Sequence, residues 1–233
     1  MSRQTATVDA NQDKAWKREA LRLCDRYVRE VVLAFDLCPW ADGALRGGRV
    51  GRDVCLLAVP TPQDCLPFID GLVQDSPATM MDIGLLVFPR YGGSWAAFDG
   101  FAERVRRADG DRRADFPSRA PRALAVPRYL VAAFHPDGAQ SFTGPHQMVS
   151  FLRRSPDPML QFVRAGLIDD LKESQPDVSD TIARRNHAAL VGAAGGASAE
   201  SGEAADRPER RLDAAVRSIR ADRDACYDQL EHN

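Results

Sequence analysis

The chain has 233 residues, 44% hydrophobic and 27% charged, with 31 basic against 33 acidic side chains and a formal net charge of -2. That length holds one core and a remainder, and the balance argues against a disordered chain and against a nucleic-acid binder working through bulk positive charge. No apolar run approaches the roughly 18 residues of a bilayer span, and the first twenty residues lack a secretory pattern, so a cytoplasmic protein without membrane or nucleic-acid partners is expected.

The first element predicted is an amphipathic helix over 16–35, its stripe running through Trp16, Leu23, Tyr27, Val31 and Phe35. Cys38-Pro39 ends it, and a loop over 36–42 carries Cys38 and Trp40. Three apolar runs, each stopped by proline, then read as buried strands: Val54–Pro60, Ile83–Pro89 and Tyr129–Pro136. Between the first two, Thr61 caps a helix over 61–74 with Pro62 at its first position. Between the second and third, a helix over 94–107 presents Trp95, Phe98, Ala102 and Val105. The order predicts an α/β fold, a two-layer or three-layer sandwich with a small, mostly parallel sheet and crossover helices.

Residues 108–128, rich in Arg, Asp and Pro, read as an exposed loop, and 144–154 as a short helix. A firmer helix is expected from Asp157 as cap and Pro158 at its first position, burying Met159, Phe162, Val163, Leu167 and Leu171. The α/β domain is thus placed at 1–175. A flexible linker rich in Gly, Ala and Ser follows at 176–208, and a peripheral charged helix with a thin apolar stripe at 209–233.

If the three strands are parallel, their terminal prolines mark one carboxyl edge, where open α/β folds bind ligands. His135 lies there, either as a proton-exchanging or metal-binding imidazole or as a ring closing the strand through backbone bonds. Asp137 either orients that ring or belongs to a turn. Arg154, followed by Ser155, precedes the expected helix, so its guanidinium and the helix amides suit a carboxylate or phosphate; the alternative is a solvated arginine. Cys38 has Arg46, Arg49 and Arg52 downstream, which would activate a thiol, whereas a helix carboxyl end would raise its pKa and a small buried hydrophobe is the plainer reading. The five cysteines show no C-x-x-C pair and read as reduced thiols. Nucleotide-loop, Rossmann, nucleophile-elbow and zincin motifs are missing.

Leu37-Cys38-Pro39-Trp40-Ala41, Phe134-His135-Pro136-Asp137, Phe142-Thr143-Gly144 and Arg154-Ser155-Pro156-Asp157-Pro158 together resemble a bacterial family, domain of unknown function 1415, over about 16–172. Trp40, Arg153 and Asp157 stand where that family shows Phe, Asn and Tyr. The resemblance implies no reaction, but it implies that Cys38, His135, Asp137 and Arg154 share a pocket. The leading expectation is a small-anion site at the strand edge, with Cys38, His135 and Asp137 as chemical groups and Arg154, Ser155 and Trp40 as ligand contacts; the cofactor and oligomeric state are unspecified. Two alternatives stay open: a transition metal held by Cys38, His135 and Asp137, or an adaptor whose terminal helix reaches a partner.

Overall fold

The computed structural model describes residues 2–73, 80–114, 129–138, 149, 152–174, 177–191 and 208–232. Helix α1 (Ser2–Tyr27) runs into a π-helical segment (Val28–Leu33), and Trp16, Ala20, Leu23, Tyr27 and Val31 are buried as the helical period requires. Leu37 N–H donates to the Val32 carbonyl at 2.9 Å. Asp36, at φ 49, occupies the left-handed region and turns the chain ahead of Pro39. The first residues of helix α2 (Ala41–Arg46) fall within the expected loop.

Strands β1 (Val50–Val54), β2 (Ile83–Val87), β3 (Tyr129–Phe134) and β4 (Met159–Arg164) form one sheet in the order β1-β2-β4-β3. β1 and β2 are parallel, while β4 runs antiparallel to both β2 and β3. β1, β2 and β3 therefore point the same way, with β4 inserted in reverse, and the sheet is mixed rather than mostly parallel. Helices α3 (Pro62–Leu72) and α4 (Trp95–Ala114) cover one face, where Ile69, Leu86, Phe98, Leu160 and Phe162 share a core. Alternate residues Ile83, Leu85, Val87 and Met159 meet α1 on the other face, giving three layers. Thr61 and Asp64 close a capping box on α3, and Pro67 sits inside that helix without ending it.

Several expectations are corrected. β1 lies at 50–54 instead of 54–60. As an edge strand it tolerates the exposed Arg52 and Asp53, and its partner β2 stops at Val87, so beyond Cys55 N–H to Val87 O (2.8 Å) the apolar run has no ladder and Val59 is 86% exposed. Met159–Arg164 is a strand, since five apolar-rich residues satisfy both periods and pairing with β2 and β3 decides between them; helix α5 begins only at Ala165 and ends at Ser174. Residues 108–114 continue α4, where buried Asp109 pairs with Arg112 at 3.0 Å and Arg112 also reaches Asp70. Residues 115–128 lie outside the described residues, as do most of the short helix expected at 144–154 and the low-complexity stretch 192–207.

Within the expected linker, Val178–Val191 forms helix α6, with Ala183, Asn186 and Leu190 buried. The last helix, α7 (Pro208–Glu231), is not peripheral. It packs along α1, burying Leu212, Ile219 and Tyr227, with the Tyr227 ring 4.4 Å from that of Trp16. Its thin stripe suffices because polar contacts reinforce it: Asp222 pairs with Arg22 (2.9 Å) and Arg26 (2.8 Å), and Gln12 donates to the Leu230 carbonyl. The stripe proposed to reach an external partner is thus spent inside the chain. No helix among the described residues is long and apolar enough to cross a membrane.

Candidate functional site

The common direction of β1, β2 and β3 brings Val54, Val87 and Phe134 to one edge, where β4 begins at Met159. His135 follows Phe134 and is 3% exposed. Its N–H donates to the Arg153 carbonyl at 2.9 Å. The ring Nε2 lies 3.0 Å from the Gly93 carbonyl, and Nδ1 accepts the Asp137 N–H at 3.1 Å. A carbonyl partner requires a proton on Nε2 and an amide partner requires a lone pair on Nδ1, so these bonds fix one neutral tautomer. Burial lowers the imidazole pKa, opposed by the Gly93 carbonyl and Asp137. Both ring nitrogens are engaged with backbone, which fastens the turn after β3 to the loop before α4.

Asp137 is largely exposed, 3.0 Å from Arg220 of α7 and 4.0 Å from His135 Nδ1. Arg154 is buried and pairs with Asp213 of α7 at 2.8 Å. Ser155 donates its hydroxyl to the Asp157 carbonyl. Asp157, 1% exposed, accepts from Arg223 (2.6 Å) and Tyr227 (2.7 Å), both on α7. The helix amides expected to assist Arg154 do not exist there, because β4 starts at that point. A cleft of about 550 Å3 opens beside this edge, between Pro89–Gly92 and α7, but its cations are also paired, Arg90 with Asp13 at 3.1 Å and Arg223 with Asp157.

The other side of the sheet differs. α1 lies over β1 and β2, and beyond it, over β4 and β3, is a cavity of about 430 Å3. Ile83, Leu85, Met159, Gln161, Val163 and Ala132 form its floor, while the π-helical Val28 and Val32, Ile168 of α5 and Ile182 of α6 contribute further walls. Cys38 and Trp40, set by the turn at Asp36, also line it. Burial raises the Cys38 pKa, partly opposed by the amides of Trp40 and Ala41, so the thiol is protonated near neutral pH and acts as a small wall group. Asn186 donates to the Leu37 carbonyl at 3.0 Å and holds that wall in place.

One charged residue lines this cavity among the described residues. Arg153 lies with its guanidinium carbon 5.9 Å from the Phe134 ring centre. Burial pulls its pKa below the ordinary value, and Asp99 opposes this at range. Among the described residues no side chain hydrogen-bonds or ion-pairs with it.

The structure therefore brings Cys38 and Trp40 together at the cavity, leaves His135, Arg154 and Ser155 buried at the edge, and leaves Asp137 exposed beside them. Cys38, His135 and Asp137 do not make a metal site: among the described residues no group of three or more His, Cys, Asp or Glu is placed to hold an ion. Sequence reasoning missed Arg153, Gln161 and Asn186. Arg153 closes a helical turn, its N–H donating to the Val149 carbonyl at 3.2 Å, so no periodicity told the two arginines apart, whereas Gln161 stood out as the polar residue of an apolar run.

The model of a family described as "Protein of unknown function (DUF1415)" matches residues 19–198, more than three quarters of the chain. The match ends before α7. No curated protein and no solved structure matches the chain.

Proposed function

The chain belongs to the DUF1415 family of proteins of unknown function, and from the geometry of its cavity we propose that it binds a small organic anion, with an apolar body against the sheet and its charge on Arg153. The observation that carries this reading is a half-buried arginine that lines an apolar cavity with no carboxylate on it among the described residues. A charge drawn partly out of water gains from a partner, and a bound anion would supply one in the bidentate geometry arginine favours. The volume, about 430 Å3, lies in the range of small-molecule sites. Trp40 and Cys38 contact the ligand body in this reading, and His135 with Asp137 holds the neighbouring edge rigid. The five free thiols suit a cytoplasmic setting.

Isothermal titration of the full chain with decanoate and with 1-decanol tests this. Decanoate is expected to bind the wild type, and Arg153→Met to weaken it about tenfold or more, the scale of one hydrogen bond to a charged group. The same variant should bind decanol as well as the wild type does. Equal decanoate affinity in both proteins would contradict the proposal.

A further inference from the structure

The cavity floor carries one polar residue where an apolar one would pack. Gln161 sits midway along β4 on the face shared with Met159 and Val163. Its register partners, Leu85 on β2 and Ala132 on β3, are apolar and line the same cavity. Among the described residues nothing hydrogen-bonds its amide. The residue is half-buried and its amide is open to the cavity, so its hydrogen bonds come from whatever occupies that space, and the small Ala132 side chain leaves room beside it.

The floor has a direction. Met159, opposite Phe134, marks the Arg153 end, and Val163, opposite Leu130, the other. By strand rise Gln161 lies about 7 Å from Met159, and the whole floor from Met159 to Val163 spans about 13 Å. Among the described lining residues Arg153 is the one charge, and one guanidinium balances one negative charge, which favours a carboxylate over a doubly charged phosphate.

Building on the anion reading above, we infer that the ligand is an aliphatic monocarboxylate bearing a hydroxyl partway along its chain. The carboxylate pairs with Arg153, the hydroxyl both donates to and accepts from the Gln161 amide, and the tail lies toward Val163 and Leu130. A span of about 7 Å along the floor from its Arg153 end matches about six carbons of an extended chain, which sets the hydroxyl near the sixth carbon. A site built to hydrogen-bond a hydroxyl discriminates against the analogue lacking it, because its own polar group is then left unpaired.

The test compares racemic 6-hydroxydecanoate with decanoate on the full wild-type chain and on Gln161→Leu. The wild type should bind the hydroxy acid about tenfold tighter, and Gln161→Leu should erase or invert that preference while binding decanoate at least as well as the wild type, which also reports that the variant is folded. Equal wild-type affinities for the two acids, with binding still dependent on Arg153, overturn this inference and leave the anion reading standing. A preference that survives in Gln161→Leu also overturns it. Failure of both acids to bind the wild type overturns both.

Discussion

Two adjacent arginines divide this molecule. Arg154 lies in an edge where each charge meets another: Asp213 on Arg154, Arg220 on Asp137, and Arg223 with Tyr227 on Asp157. Arg153, one residue earlier, lines an apolar cavity with the Phe134 ring beside it and no ion-pair partner among the described residues. Charges that answer one another hold α7 to the sheet edge; a charge with no such answer among the described residues is where the proposed ligand would pair. The residues that carry the family resemblance at the edge are thus spoken for by a helix beyond the matched region.

Substitutions at the edge should break the fold before they touch binding. The largest loss is expected for Arg223→Met, which leaves Asp157, 1% exposed, with the Tyr227 hydroxyl alone. Removing one partner of a buried pair costs about 3 kcal/mol or more, which urea unfolding would read directly. Arg154→Met should cost less, about 1–2 kcal/mol, because Asp213 retains Arg217; its decanoate affinity should equal the wild type's in calorimetry. At the cavity the cost is expected to vanish. Arg153→Met should be close to neutral, since a half-buried charge with no carboxylate partner among the described residues is exchanged for an apolar chain, and a fall in stability comparable to that of Arg154→Met would erase the distinction.

The smallest effect is a pH dependence from His135, whose folded pKa lies below its ordinary 6.5 chiefly through burial. Between 6.5 and that lowered value the unfolded state binds more protons, so stability is whole above 6.5 and declines as pH falls toward the folded pKa. Urea midpoints measured from pH 7.5 downward should fall more steeply for the wild type than for His135→Gln, which lacks the titrating ring; parallel curves would remove the ring from the account.

Much of the fold was legible because single-segment patterns carried it. The 3.6-residue stripe of α1, the Thr61-Pro62 start of α3 and the apolar run of β2 need no knowledge of distant residues. β4 needed it, because Met159-Leu160-Gln161-Phe162-Val163 fits either period until two neighbouring strands select one. β1 was displaced because the strand follows its partner's length more than its own hydrophobicity. α7 read as peripheral because most of what holds it, Arg22, Arg26 and Asp157, lies some 65 to 200 residues away. At the site the arginine pair and the odd glutamine were visible, but which arginine faces the sheet depends on a backbone path that only the β3 and β4 registers fix.

The account stands most directly on where an anion sits. A crystal structure of the full chain soaked with decanoate should place the carboxylate oxygens about 2.7–2.9 Å from the Arg153 guanidinium, with the chain lying across Gln161 toward Val163. Decanoate found against Arg154 at the α7 edge, or a cavity filled by the protein's own side chains, would contradict it.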